Sequence, residues 1–229
     1  PEIKEFVDSE TRLKIEHELF DNNPYILNGF FEKRKVGLND SYISSLIRED
    51  SVDEFILYVN KKNISLDNEI TPSLFETNQF LMAHNPTLIE YSAFYGSIEI
   101  FQFLRFNNVE FKPSIWLYTI HGRNPEIIHI LEEYKIKPPD DTYYSCLEES
   151  VKCHHNEIAN YFNDNFVEKE NESYYNNLES YCFHYLNFDL LPSKLNNEYL
   201  FCYMCQFDYF EVVKFLMSNK SANITYEII

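Results

Sequence analysis

The stretch TLIEYSAFYGSIEIFQFLRFNNV, residues 87–109, carries the clearest structural signal in this sequence. Its apolar residues recur at helical spacing on either side of one Gly-Ser step, Gly96-Ser97. Two small residues, Ser92 and Ala93, precede that step and would let neighbouring helices approach closely. The pattern predicts two short helices joined by a tight turn, and this hairpin sets the register for the rest of the chain.

The opening of the second helix recurs along the chain as an acidic residue followed by two apolar residues. Its members are Glu99-Ile100-Phe101, Glu126-Ile127-Ile128, Glu157-Ile158-Ala159 and Glu211-Val212-Val213, with Asp53-Glu54-Phe55 as a weaker one. From Glu99 onward they lie 27, 31 and 54 residues apart, and a period of about 20–50 residues indicates a solenoid. The 54-residue step contains residues 172–191, which have helical periodicity without the acidic-apolar-apolar mark, and we interpret them as a degenerate unit.

The predicted fold is all-α. An N-terminal helical cap over residues 1–40 precedes an ankyrin-like solenoid of stacked hairpins over residues 41–229. One extra short helix is expected at residues 71–82, and the 4 Gly of the chain predict few or no β-hairpin fingers. The predicted units are residues 41–66, 87–110, 113–137, 141–167, 172–191 and 196–220.

Ankyrin repeats run Thr-Pro-Leu-His, two alanines, two variable residues, Gly-His, and then Glu-Ile-Val before a leucine run. The first quoted hairpin falls on that register at Thr87, Ser92, Ala93, Gly96, Ser97, Glu99, Ile100, Phe101, Phe103 and Leu104. The chain resembles the divergent ankyrin-repeat-like domain of uncharacterised function expanded in certain protists, through the phrases TLIEYSAFYGS, NPEIIHILEE and CHHNEIANYF. The resemblance implies a helical solenoid and carries no reaction with it.

The sequence departs from the ankyrin pattern at several points. No Pro follows Thr87, Glu90 replaces the His of the capping network, and the Gly-Ala-Asp finger signature is absent. The period is also shorter than the standard value of about 33 residues. The expectation is therefore a stack of short, degenerate ankyrin-type units.

The net charge of −18 bounds the choice of partners. An acidic surface repels phosphate backbones and anionic membranes, so we expect no nucleic-acid and no membrane partner and favour a basic protein segment. The alternative is that the charge only keeps an aromatic-rich protein in solution. Five Cys without a secreted spacing, and an opening Pro1-Glu2-Ile3 unlike a signal peptide, predict an intracellular, cytoplasmic protein.

Two cysteine groups suggest metal binding, and the spacing argues against both. Cys146 and Cys153 lie about two helical turns apart, while His154 and His155 are adjacent and would point apart. Cys205, of Cys202-x-x-Cys205, falls on the small packing position of Ala93 in the repeat register. We expect no metal, no cofactor and no catalytic residue, because no nucleophile, base and orienting group converge in the sequence.

Partner binding is predicted for the two variable residues before each turn, which face the concave groove in ankyrin-type stacks. The candidates are Arg48, Glu49, Phe94, Tyr95, His121, Lys152, Gln206 and Phe207, with Trp116 as a ligand platform or, alternatively, an inter-helix wedge. The competing interpretation is that the degenerate spacing turns these positions into packing between units.

Two functions fit the predicted stack. The first is a non-catalytic protein–protein interaction scaffold that binds through the concave face. The second is a structural subunit built permanently into a larger assembly, for example a cytoskeletal one. Residues 219–229, NKSANITYEII, provide no polar capping unit, so the last apolar face is expected to continue into further repeats or to dock on another surface.

Overall fold

The computed structural model describes residues 29–167, 178–191, 197–211 and 213–214. Within them the chain is all-α, as predicted, and the sole strand-like feature is an isolated antiparallel bridge between Glu69 and Thr87. Most of the predicted N-terminal cap and the predicted end of the last unit lie outside these residues. None of the described helices combines the length and the apolar character needed to cross a bilayer.

The described helices are short, between 5 and 11 residues, and most of them form hairpins. The helices are α1 Phe30–Val36, α2 Tyr42–Arg48, α3 Val52–Lys62, α4 Gln79–Ala83, α5 Leu88–Tyr95, α6 Ile98–Phe106, α7 Ile115–Gly122, α8 Pro125–Glu133, α9 Tyr144–Lys152, α10 Asn156–Asn165, α11 Leu178–His184 and α12 Asn197–Gln206. The hairpins pair α2 with α3, α5 with α6, α7 with α8 and α9 with α10, while α11 is followed by a single 3₁₀ turn, Phe188–Leu190.

The first helices of successive hairpins pack side by side in chain order. Helices α2, α5, α7, α9, α11 and α12 form this first layer, and α3, α6 and α8 pack behind it in a second layer. Among the described helices, the most extensive pairing joins α5 to α7. Each hairpin therefore buries its apolar side mainly against the hairpins before and after it, which is how a repeat stack builds a continuous core.

Every described hairpin turns at one residue with a positive φ. These residues are Asp50, Gly96, Arg123, His154, Leu186 and Asp208. In five of the six turns, the amide of the next residue donates to the carbonyl five positions earlier, as Ser97 does to Ser92 at 2.9 Å. This is the left-handed helix ending that satisfies otherwise free carbonyls, and it defines one register for the whole stack.

This register clarifies the unit that we interpreted as degenerate. Leu186 is its turn residue, and Asp189-Leu190-Leu191 then stands where the acidic-apolar-apolar mark stands in the other units. This acidic-apolar-apolar mark was not recognised in the sequence, because Asp replaces Glu. In the structure, a 3₁₀ turn stands where the other units have their second helix. The unit shares the turn geometry of its neighbours.

Polar side chains at the turns tie consecutive hairpins together. In four turns, the residue after the turn residue donates to a backbone carbonyl of the preceding hairpin, three positions before the earlier turn residue. The four ties are Ser97 Oγ to Ile47 O at 2.5 Å, His155 Nδ1 to Ile120 O at 2.9 Å, Asn187 Nδ2 to Val151 O at 2.9 Å, and Tyr209 Oη to Phe183 O at 2.8 Å. In the fifth, Asn124 Nδ2 donates to the carbonyl of the earlier turn residue itself, Gly96, at 3.0 Å. Buried carbonyls at the helix ends thereby gain partners from the next unit.

The start of α6 is capped from outside its own hairpin. Serine often caps a helix, but the side chain of Ser97, at the N-cap position of α6, makes no capping hydrogen bond. The first amides of α6 are capped instead by Asp50 of the preceding hairpin, whose carboxylate accepts from Glu99 N and Ile100 N at 3.0 Å. The cap therefore comes from a neighbouring unit, so that capping also holds the stack together.

An inserted segment, residues 63–86, separates the first two hairpins. The helix predicted there over residues 71–82 forms only as α4, Gln79–Ala83, because Ser73 and Glu76 accept local backbone hydrogen bonds in a turn before it. The segment is anchored to the start of α5 by Leu88 N, which donates to Asn68 O at 3.0 Å. As a result, α4 lies against α5 and α7.

Glu90 joins two units from a buried position on α5. Its carboxylate accepts from Thr87 N at 2.9 Å, completing a capping box, and from Ser114 Oγ of the next hairpin at 2.6 Å. Glu90 is 3% exposed, so its carboxylate makes these bonds in the interior of the stack.

Replacing Glu90 by alanine is expected to lower the free energy of unfolding by about 2–3 kcal/mol, because the change removes a cap and leaves buried donors unpaired. Urea denaturation followed by circular dichroism measures the loss. Glu99→Ala is the matched control, because Glu99 is exposed in the first turn of α6. This variant should change the free energy of unfolding by about 0.5 kcal/mol or less. Equal effects at the two positions would contradict the role of Glu90.

Candidate functional site

The predicted partner-binding residues share one position in the structural register. Apart from Trp116, each lies one or two residues before the turn residue of its hairpin. We call this set the turn-side row, and it consists of Arg48, Glu49, Phe94, Tyr95, His121, Gly122, Lys152, Cys153, His184, Tyr185, Gln206 and Phe207. The sequence argument missed His184 and Tyr185, because their unit was treated as degenerate.

Members of the row contact one another across hairpins. The guanidinium of Arg48 lies 5.9 Å from the Tyr95 ring centre, and the rings of Phe94 and His121 stack at 4.8 Å. Further along, His184 and Phe207 meet edge to face at 5.2 Å. The row is therefore continuous within each of these stretches, because the first helices that carry it pack in order.

The beginning of the row is occupied by internal contacts. Arg48 donates to Asn39 O at 2.9 Å and to Tyr91 Oη at 3.1 Å. Tyr95 packs on Tyr91 and Phe94, with ring centres 4.8 and 5.0 Å apart. Burial, with the neighbouring Tyr91, raises the pKa of Tyr95 well above its usual value. Only Glu49 is exposed among the row residues of the first two hairpins.

Phe94 and Trp116 are not at the surface, which corrects their assignment as contact residues. Phe80 of α4 stacks on Phe94 at 6.0 Å and lies 4.4 Å from His121, so the inserted segment covers this part of the row. Trp116 is fully buried and donates its indole N–H to Ile136 O at 2.8 Å. Trp116 is an inter-helix wedge, the alternative that the sequence left open.

The end of the row is open. Lys152, His184 and Gln206 are exposed, and Phe207 is half-buried beside His184. These side chains belong to three consecutive hairpins. The accessible part of the predicted surface therefore lies in the later hairpins.

A cluster of His121, Glu149 and Cys153 lies in the middle of the row. His121 Nε2 is 2.9 Å from Glu149 Oε1, and the two side chains are 14% and 12% exposed. Cys153 Sγ lies 3.7 Å from the same carboxylate oxygen. Lys152 donates to the same carboxylate from the solvent side, with Nζ 3.0 Å from Oε2. The cluster joins α7 to α9 through side chains of three different chemistries.

The electrostatics of the cluster keep the acid charged and the thiol neutral. Burial would raise the pKa of Glu149, but hydrogen bonds from His121 and Lys152 hold it below its usual value. Burial, followed by the charge of Glu149, raises the pKa of Cys153 to about 12. Without a further positive charge, Cys153 is therefore a thiol at neutral pH.

A thiol, an imidazole and a carboxylate are also the groups of a cysteine hydrolase, but the geometry does not activate the sulfur. Cys153 Sγ is 3.6 Å from Nδ1 and 3.7 Å from Nε2 of His121. A sulfur equally far from both nitrogens lies on the lone-pair axis of neither. The imidazole is not placed to take the thiol proton.

The sequence argument paired Cys153 with the wrong neighbours. Cys146 is buried in the core, His154 is an exposed turn residue, and His155 donates to Ile120 O. The informative signal was the repeat register, which places His121 and Lys152 at equivalent positions of adjacent hairpins. Residues at equivalent positions of stacked units are neighbours in space.

Comparison with protein-family models, with curated proteins and with solved structures gives no match to this chain.

Proposed function

We propose that this chain is an ankyrin-like solenoid that acts as a non-catalytic protein–protein interaction scaffold. One observation carries the proposal: the described hairpins bring the same two positions before each turn into a shared row. Side chains repeated at equivalent positions form an extended surface, which suits an extended protein segment better than a small molecule.

The proposed binding surface is the open end of the turn-side row. Lys152, His184, Gln206 and Phe207 offer a mixture of charged, polar and aromatic groups, and aromatic side chains are enriched where proteins contact each other. This places the contact in the later hairpins, whereas the sequence prediction spread it over the whole stack.

The partner is a protein segment of basic character. The chain carries a net charge of −18, which attracts positive segments and repels nucleic acid. The exposed Glu49 and Asp208 add negative charge at the two ends of the described stack. Attraction of this kind weakens as salt rises, so binding should be strongest at low ionic strength.

A second function, a permanent structural subunit, is favoured by a separate observation. Leu186, Phe188 and Phe210 are 59%, 46% and 63% exposed at the turns of the last two described hairpins. Apolar side chains grouped in this way are typical of the interfaces of lasting assemblies. In this role the chain would co-purify in a fixed ratio with its partners and stay bound on dilution.

Affinity purification from the native cell, followed by titration of the recovered partner by calorimetry, tests the scaffold. Replacing Phe207 by alanine together with Gln206 by alanine is expected to weaken binding about tenfold or more, the cost of about 1.4 kcal/mol at a contact residue. Leu57, which is 70% exposed on α3 in the second layer, provides the control as Leu57→Ala.

The outcomes separate the two functions. Weakened binding in the double variant, with an unchanged Leu57→Ala control, supports the turn-side row. Unchanged affinity in the double variant would sink this assignment. Loss of a stoichiometric complex only when Leu186 and Phe210 are replaced by serine would favour the structural subunit.

A further inference from the structure

We propose that His121, Glu149 and Cys153 bind one zinc ion between α7 and α9, with the fourth coordination position left to water or a partner's side chain. This inference is independent of the scaffold proposal. It concerns a site that links two hairpins, whatever binds at the open end of the row.

The three donors match the chemistry of zinc. Imidazole nitrogen, carboxylate oxygen and thiolate sulfur are its usual ligands, and three protein ligands with one open position form a common zinc arrangement. A thiolate and a carboxylate together carry two negative charges, which balance the ion. The cluster also lies within a chain of net charge −18, whose field concentrates cations.

The distances between the donor atoms fit a tetrahedral site. Zinc–ligand bonds of about 2.0–2.3 Å separate tetrahedral donors by about 3.3–3.6 Å. In this structure, Sγ of Cys153 is 3.7 Å from Glu149 Oε1 and 3.7 Å from His121 Nε2, and the nitrogen and oxygen are 2.9 Å apart. These separations differ from the tetrahedral values by only a few tenths of an ångström.

One side-chain adjustment accompanies binding. Because Sγ is equally far from both ring nitrogens, the His121 ring must turn about its Cβ–Cγ bond to aim a lone pair at the ion. Nε2 already faces the carboxylate, and the ring is held by Phe94 at 4.8 Å and Phe80 at 4.4 Å. The required change is confined to one side chain, and α7 and α9 keep their positions.

Lys152 orients the carboxylate for this role. Its Nζ lies 3.0 Å from Oε2 and 3.3 Å from Oε1 of Glu149, so the stronger contact occupies the oxygen that faces away from the sulfur and imidazole. Groups that hold a ligand from outside typically change metal affinity about 10–100-fold. The inserted segment contributes as well, because Phe80 shields one side of the site from water.

Cobalt(II), used in place of zinc, gives a direct readout on the reduced full chain. We expect saturation at one equivalent and an absorption band from thiolate-to-cobalt charge transfer, which zinc then abolishes by displacement. Cys153→Ser should eliminate the band and weaken zinc binding about 100-fold or more, since a lost ligand costs more than a lost supporting group. Cys205→Ser, at an exposed cysteine of α12, is the matched control and should leave both unchanged.

Two results would overturn the proposal. One is the absence of saturable cobalt binding by the folded chain, and the other is an unaltered charge-transfer band in Cys153→Ser. If circular dichroism shows that Cys153→Ser does not fold, Glu149→Gln decides, because it keeps the thiol and the side-chain shape. A folded Glu149→Gln protein with the zinc affinity of the parent would also refute the site.

Discussion

Replacing Gly122 by alanine is expected to destabilise the protein by about 3 kcal/mol or more. Gly122 is the last residue of α7, where a Cβ atom would lie 2.0 Å from the carbonyl oxygen of Ala93 and 2.8 Å from the amide nitrogen of Gly96. Both neighbours are backbone atoms of the preceding hairpin, so no side chain can move aside. The change must push α7 away from α5, at the most extensive pairing among the described helices.

The sign of this stability change is diagnostic, because without the close approach Gly122→Ala would stabilise the protein. The φ of Gly122 is outside the left-handed region, and at such positions Gly→Ala normally stabilises a protein by about 0.4–1 kcal/mol. Destabilisation would therefore report the close approach of two hairpins. Gly29→Ala is the control, because Gly29 has a positive φ and no atom near its missing Cβ; it should cost about 1–2 kcal/mol from backbone strain alone.

Urea denaturation of Gly122→Ala and Gly29→Ala, followed by circular dichroism, measures both losses. A Gly122→Ala protein as stable as the parent would mean that α5 and α7 do not approach as closely as the structure has them. The packing of the turn-side row would then need revision at its centre.

The repeat register could be predicted from the sequence because its signals are local. Small residues before the turn, a residue tolerant of the left-handed conformation and an acidic-apolar-apolar opening all fall within about ten residues of each other, as in residues 92–101. Such short-range patterns depend on backbone preferences and helical spacing. The all-α class and the first helices of the stack followed from them.

The cover over the row could not be predicted, because it depends on the path of the inserted segment. Phe80 contacts Phe94, 14 residues away, and His121, 41 residues away. No local preference of residues 63–86 specifies where α4 packs. The sequence therefore identified the positions of the row correctly as a register and overestimated how many of its side chains face the solvent.

The cluster of His121, Glu149 and Cys153 could not be found by spacing rules for a similar reason. Those rules search for ligands on one helix or within one loop, whereas this cluster combines the end of α7 with the last turn and C-cap of α9. In a stack, residues about one repeat apart become neighbours, so the separation from His121 to Cys153 of 32 residues is short in space. A search for donors separated by one period would have found it.

Trp116→Ala is expected to destabilise the protein by about 3–5 kcal/mol, the range for removing a large aromatic side chain from a core. Trp116 is fully buried, with its ring edge to face against Tyr143 at 5.5 Å and Phe162 at 5.9 Å. It thus joins α7 to the following hairpin, and its removal leaves a cavity between two units.

Trp116→Phe separates packing from hydrogen bonding. Phenylalanine retains an aromatic ring but leaves Ile136 O without the indole donor, which lies at 2.8 Å in the parent protein. A buried acceptor left unpaired costs about 1–3 kcal/mol, so this variant should lie between the parent and Trp116→Ala. Tyr134→Ala, at an aromatic residue that is 54% exposed, should change stability by about 0.5 kcal/mol or less.

Circular dichroism is the appropriate probe, because Trp116 is the single Trp of the chain and its variants lose the tryptophan fluorescence of the parent. The same variants also test the ligand-platform interpretation. A platform residue would lose partner affinity while stability stayed near that of the parent, since its ring would face the ligand. A Trp116 variant of the wedge kind loses stability first, and the fraction that remains folded keeps its affinity, because Trp116 is fully buried against Tyr143 and Phe162.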